Sequence, residues 1–233
     1  MTTRLPFLVS WLVLLCFPPS ALAAGTARWI SMDAPETLEA PVIGLQRTAL
    51  SLPGGFAVDT SLLADAGLLP NAGVRWAISA GPHRFVAGAR YAYFVGGDAY
   101  SAAVNALQPV VKRYDPSFSG PSAYAVYGLS LGQFTFGAEL RARLMYFTSG
   151  SATAGVALAL TDAWSLVAEA GVRYLQGEQF VTQGAIQPKL AAGIRLAGKG
   201  FGFILGADYV GIDDPMFPAV PVAPVVDLSW SFQ

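Results

Sequence analysis

The sequence predicts an all-β protein: a closed antiparallel transmembrane β-barrel of about ten strands. Three observations carry this. Apolar and polar residues alternate with period two from residue 56 onward, charge is scarce, and tight turns alternate with longer loops. Only 12% of the 233 residues are charged and 54% are hydrophobic, against roughly 25% charged in an ordinary soluble domain. That composition excludes disorder. A formal net charge of −1 leaves no electrostatic case for a nucleic-acid partner.

Residues 1–24 read as a secretory signal peptide. Arg4 precedes an uncharged apolar run from Leu5 to Phe17, then Pro18-Pro19-Ser20 and the small-residue site Ala21-Leu22-Ala23-Ala24. Leu15 is too large for a lipid-attachment site at Cys16. Cleavage removes this only Cys, so disulfides and thiolate metal sites are not expected. No later stretch reads as a membrane helix, because Thr148-Ser149-Gly150-Ser151 interrupts the best candidate, Leu144 to Thr161. Residues 25–55 fit the alternation less well. Asp33, Glu36 and Glu39 make part of this stretch polar, and it is expected to be periplasmic or to enter the lumen. The barrel is assigned to residues 56–233. Eight strands, with the first hairpin detached, and twelve, with 28–33 and 42–51 joining, are the alternatives.

Ten segments follow the alternation: 56–64, 72–80, 84–94, 122–131, 133–147, 152–160, 163–175, 188–197, 200–211 and 222–232. The fifth is clearest. Phe134, Phe136, Ala138, Leu140, Ala142, Leu144 and Tyr146 share one face, with Glu139, Arg141 and Arg143 on the other. Charges at i, i+2 and i+4 wrap round a helix but share a side of a strand. Arg84 pairs in parity with Arg90, Glu169 with Arg173, and Lys189 with Arg195. Asp59, Arg75, Asp208 and Asp227 are single charges on their strands. All thirteen are assigned to the lumen.

Ala80-Gly81-Pro82-His83, Gly132-Gln133, Thr161-Asp162 and Ala197-Gly198-Lys199-Gly200 are tight turns. Between them lie connections 65–71, 95–121, 148–151, 176–187 and 212–221, with a short helix expected in 100–114. Aromatics sort by end. Phe56, Phe85, Phe134, Phe136, Trp164, Phe201, Phe203, Trp230 and Phe232 lie on the tight-turn side; Tyr91, Tyr93, Tyr146, Tyr174 and Tyr209 lie on the other. Two outward girdles are expected where rings meet membrane–water interfaces.

On these features residues 56–233 resemble the bacterial outer-membrane β-barrel superfamily. The last strand, with Val226, Leu228, Trp230 and Phe232 alternating, resembles that group's C-terminal assembly signal, although Gln233 follows the aromatic. The resemblance implies multi-pass residence in the cell outer membrane, with tight turns and both termini periplasmic. It also implies two partners: outer-membrane lipid and the barrel assembly machinery. A soluble barrel or sandwich would turn the apolar face inward, and its surface would need more charge than this chain supplies.

The lumen list carries eight basic and five acidic residues. It reads first as an internal salt-bridge network, with Gly73, Gly88, Gly128, Gly137, Gly155, Gly171, Gly193 and Gly206 making room inside. Its basic surplus also suits a narrow porin-like channel for small anions. A hydrolase would need a histidine near a nucleophile, and His83, the only one, sits in a tight turn. Asp213-Asp214 read as a solvated loop pair. No phosphate loop or His/Cys metal cluster is present, so no cofactor or metal is expected. The functional expectation is a non-enzymatic envelope structural or binding component, including as a subunit of a larger envelope assembly. Loops 95–121, 176–187 and 212–221 would meet an envelope protein partner, the last through Met216, Phe217 and Val220.

Overall fold

The computed structural model describes residues 29–33, 41–66, 69–93, 95, 119–144, 148–176, 185–198, 200–209 and 222–232. Twelve antiparallel strands close into one barrel in sequence order, the first pairing with the last. They are β1 (Val42–Gly44), β2 (Thr48–Ser51), β3 (Phe56–Thr60), β4 (Asn71–Ala80), β5 (His83–Ala92) and β6 (Gly120–Leu131). Then come β7 (Phe134–Leu144), β8 (Thr148–Ala159), β9 (Trp164–Gln176), β10 (Ala185–Gly198), β11 (Phe201–Tyr209) and β12 (Val222–Ser231). A short helix, α1 (Leu62–Ala66), follows β3.

The closed antiparallel architecture is the one the alternation predicts, and the strand number is twelve rather than ten. The extra pair is β1 and β2, from the stretch assigned above to the N-terminal segment. β1 closes on β12 through Val42↔Ser231, Ile43↔Trp230 and Gly44↔Ser229. Residues 29–33 add no strand; they run inside the lumen. Several boundaries also move, with β10 starting at Ala185 inside the expected loop 176–187 and β6 at Gly120 inside 95–121. Residues 62–64, expected in a strand, lie in α1, and Thr148–Ser151, expected as a loop, are the first residues of β8.

One register runs round the wall and fixes which side chains face out. Phe56 pairs with Trp76, and Ile78 with Phe85. Phe136 pairs with Val156, Leu158 with Leu166, Leu205 with Val226, and Phe201 with Trp230. These outward rows are exposed apolar residues: Leu140 is 65% exposed, Val74 57% and Leu190 52%. The inward rows carry charge, with Arg75 2%, Glu139 2%, Glu169 4% and Asp227 5% exposed. A wall greasy outside and ionised inside is the arrangement of an outer-membrane β-barrel. Hydrocarbon offers backbone groups no hydrogen bonds, so only a closed sheet can span it.

Gly132 (φ 57°) and Gly81 (φ 59°) take the left-handed conformation their tight turns require. The wall is uneven in height. β1, β2 and β3 have three, four and five residues, while β12 and β4 on either side have ten each. Above this low side the β1–β2 turn bonds to β12 (Leu45 N to Leu228 O, 3.0 Å), and α1 sits on the turn (Leu63 N to Leu45 O, 2.7 Å).

Phe56, Phe85, Phe134, Phe136, Trp230, Phe232, Tyr91, Tyr93 and Tyr174 are exposed, whereas Trp164, Phe201, Phe203 and Tyr209 are half-buried among neighbours. Trp76 and Tyr127 also face out. Tyr146, the signal peptide, the expected helix in 100–114 and loop 212–221 lie outside the described residues.

Leu140→Arg places a charge on the lipid face. It is expected to destabilise the folded barrel by about 2–4 kcal/mol if the site lies at mid-bilayer. Equilibrium unfolding from lipid vesicles measures this. Thr153→Arg, on the inward face of the next strand, should escape that lipid-transfer penalty and instead disturb only the packed lumen.

Candidate functional site

The chain's own segment Trp29–Asp33 is buried inside the lumen. Trp29 is 1% exposed, Ile30 3% and Met32 1%. They pack on an apolar strip of the inward wall formed by Ala157, Val167, Ala191 and Ile204, with Val225 beside it. Burying side chains such as Ile30 and Met32 contributes roughly 1.5–3 kcal/mol each. The inward glycines make this possible. A Cβ on Gly137 would lie 2.5 Å from the Trp29 ring, and one on Gly155 2.8 Å from both Met32 Cε and Trp29. At Gly193 and Gly206 a Cβ would lie 2.7 and 2.8 Å from Ile30. These glycines therefore make room for the plug rather than for long charged side chains. Gly88 and Gly73 serve the wall, lying against Tyr124 and against Asp59 and Arg90.

Two buried carboxylates hold the segment. Glu169 accepts hydrogen bonds from the backbone N–H groups of Ile30, Ser31 (3.0 Å) and Met32 (3.2 Å), and from the Ser31 hydroxyl. Glu139 accepts the Asp33 N–H at 2.7 Å. The Asp33 carboxylate in turn bridges Arg47 (3.4 Å), which hangs from the β1–β2 turn, and Arg141 (2.9 Å). Arg141 also donates to Glu139 at 2.9 Å and lies over the Tyr124 ring at 5.3 Å. A carboxylate buried without donors is costly, and several converging N–H groups remove that cost.

All thirteen charged residues assigned to the lumen lie on inward rows of the register. Several of their partners are defined among the described residues. Arg90 pairs with Asp59 at 2.8 Å across Gly73, and Glu139 with Arg141. Glu169 is taken up by the plug. Arg173 donates to Gln187 (3.0 Å), Lys189 to Thr153 (3.3 Å) and Arg195 to Ser165 (3.4 Å). Asp227 accepts Gln46 N–H at 3.0 Å. Arg75 is buried in the wall, Asp208 lies high on β11 and Arg84 near the tight turn of β4–β5. Arg143, high on β7, is exposed to the mouth and makes no hydrogen bond or ion pair among the described residues.

His83 opens β5 on the outer face, with Nδ1 2.7 Å from the Tyr127 hydroxyl. Among the described residues no group of three or more His, Cys, Asp or Glu could hold a metal.

The sequence offers a lumen-entering segment within 25–55 but does not single out Trp29–Asp33 as the part that packs there, or Arg47 as its anchor. The signal was present in two places. Trp29, Ile30 and Met32 make an apolar cluster ahead of a polar run. Val86, Val126, Val167, Ile204 and Val225 break the polar character of the inward faces.

No protein-family model matches the chain, and no curated protein matches it. Solved structures are similar in outline. Outer-membrane expressed OmpT of Vibrio cholerae gives a TM-score of 0.43 at 10% identity, over 80% of this chain and 64% of that one. This chain therefore spans less than two thirds of the OmpT chain. LpxR from Salmonella typhimurium gives 0.46 at 10% identity, over 82% and 88%. A bacterial polysaccharide outer membrane secretin gives 0.43 at 11%, over 80% and 69%. Similarity at this level carries nothing about activity or ligand.

Glu169→Ala removes the acceptor of three backbone N–H groups and one hydroxyl. Hydrogen bonds to charged groups contribute roughly 1.5–3 kcal/mol each. Amide exchange at Ile30, Ser31 and Met32 is therefore expected to speed up at least about tenfold, while exchange in β6–β10 stays slow. Gly155→Val should have the same effect on residues 29–33 by collision with Met32 and Trp29.

Proposed function

We propose that this chain is a non-enzymatic, self-plugged outer-membrane β-barrel, a structural and binding component of the envelope rather than an open channel. The single observation that supports this is the seating of Trp29–Asp33 across the lumen, buried and bonded to Glu139 and Glu169 on two separate strands. A transport path would have to run through the space those side chains fill. Binding is then assigned to the connections between β5 and β6, β9 and β10, and β11 and β12, which would meet an envelope partner. Lipid contacts the outer face, and the alternating end of β12 is the segment offered to the barrel assembly machinery. The observed His83–Tyr127 bond gives the only histidine a structural partner and supports the non-enzymatic reading.

A porin-like reading is retained for one state only, the barrel with its plug withdrawn. The inward arginines would then line an anion-favouring path. In a planar bilayer the full mature chain is expected to be electrically silent. A variant lacking residues 29–33 is expected to show discrete, anion-selective conductance steps. Steady conductance by the full chain, equal to that of the deletion, would overturn the plugged reading.

A further inference from the structure

The barrel closes at a short seam, and the plug reaches that seam. β1 meets β12 through three residue pairs, whereas β11 meets β12 through nine. On its other side β1 has the single register pair Val42↔Ala49 with β2. The β1–β2 turn, residues 45–47, strengthens this place. Leu45 N–H donates to Leu228 O at 3.0 Å, Gln46 N–H to Asp227 Oδ1 at 3.0 Å, and Gln46 Nε2 to Val226 O at 3.1 Å. The turn is fixed internally by the Thr48 hydroxyl, which donates to Gly44 O at 3.1 Å. A Cβ on Gly44 would lie 2.8 Å from Arg47 O and 3.0 Å from Ser229 Cβ, so turn and β12 are in close contact. Whatever holds Arg47 therefore also holds Leu45 and Gln46 on β12.

The plug holds Arg47. Asp33 Oδ1 lies 3.4 Å from Arg47 Nη1, and Asp33 Oδ2 lies 2.9 Å from Arg141 Nη2. Arg141 stands on β7, six strands from β1 in either direction round the wall. One carboxylate thus ties the seam to the opposite wall. Arg47 is 5% exposed, and among the described residues Asp33 is the only carboxylate within ion-pair distance of it. Removing that carboxylate leaves a buried cation without its anion, which is costly. Behind the seam lies a gap of about 10 Å³, room for about one water, against Val42, Arg47, Asp227 and Ser229. By contrast, β8–β11 are backed by the plug's apolar side chains. The support inside the seam is polar, and Asp33 is the part of it that the plug carries.

We infer that the Asp33–Arg47 ion pair is a latch that couples seating of the plug to closure of the β1–β12 seam. Displacing residues 29–33 then loosens the wall at β1 as well as clearing the lumen. Loosening the wall at β1 releases the plug in turn, because coupling between two sites acts equally in both directions. The segment that blocks the barrel along its axis also holds it shut sideways. Opening is one transition, from plugged and closed to unplugged with a slack seam. This inference deepens the plugged reading above and rests on it.

The test is amide exchange on the full mature chain in nanodiscs. The seam is read at Leu45 and Phe232, whose N–H groups donate to Leu228 O and Pro41 O, and the plug at Ser31 and Met32. Asp33→Asn keeps the side chain's size and the backbone bond to Glu139 but removes the charge. It is expected to speed exchange at both seam amides at least about fivefold, the low end of site-to-site coupling. Arg47→Gln should do the same, and the double variant no more than either alone, as for two halves of one interaction. Glu169→Ala separates a latch from a local bond. It alters β9 and the plug, not the seam, yet unseating Ser31 and Met32 should speed the seam amides too. Gln187→Ala, which takes an acceptor from Arg173, should leave them unchanged. The reverse direction uses Ile43→Cys with Trp230→Cys, a cross-strand pair of the seam. Oxidised to a disulfide, this variant should exchange Ser31 and Met32 several-fold more slowly than its own reduced form, a comparison that needs no destabilised protein. Three results would each overturn the latch: faster plug amides in Glu169→Ala with unchanged seam amides, additive effects of Asp33→Asn and Arg47→Gln, or plug exchange indifferent to the disulfide. The plugged reading fails by a separate result, steady conductance of the full chain, so the two failures are distinguishable.

Discussion

Hydrocarbon accepts no hydrogen bonds, and the rest of this structure follows from that constraint. A sheet placed in it must close, because a free edge would leave backbone groups unpaired. Closure sends alternate side chains to opposite sides of one wall. The outward set is Phe, Leu, Val, Ile, Trp and many Ala, while the inward set takes the barrel's charges. The β1–β12 seam completes the circuit with only three pairs. The turn at Leu45 and helix α1 extend the cover where the short strands stop.

Moving ionised groups inside creates a second problem, since buried charge needs partners. Cross-strand ion pairs solve part of it, at Arg90–Asp59 and Arg141–Glu139. The plug solves another part with backbone N–H groups, which bring donors to Glu169 without bringing a full charge. Its apolar side chains then fill the inward strip of Ala157, Val167, Ala191 and Ile204. Structure and electrostatics are coupled here. The same segment that packs inside the lumen supplies the Asp33 carboxylate to Arg47 and Arg141.

The wall from β4 to β12 was legible in the sequence because one face is buried against ions and the other meets lipid. A slip of one residue would turn Glu139, Arg141 and Arg143 outward together, so the register has a strong signature. β1 and β2 were hard to read because three and four residues are too few for a period to show. Arg47 and Gln46 in their turn interrupt it. Residues 62–64 looked like a continuation of β3, yet Ser61 and Asp65 favour a helical turn, with the Ser61 hydroxyl accepting Ala64 N–H at 3.3 Å. The plug was least legible. Nothing local says that Trp29, Ile30 and Met32 find their partners on strands more than a hundred residues away. The inward glycines stand out in the alternation, but their role depends on that long-range contact.

The central claim is that alternate residues of each strand face lipid and an occupied interior. Spin labels placed one at a time along β7, from Phe134 to Leu144, in nanodiscs test it most directly, read by collision with oxygen and with a water-soluble nickel chelate. The account predicts that even-numbered positions are oxygen-accessible, as membrane-facing sites are. Gly137 and Glu139 should be shielded from both reagents, because Trp29 and Asp33 pack beside them. Uniform accessibility along the strand, or strong nickel access at residues 137 and 139, would contradict it.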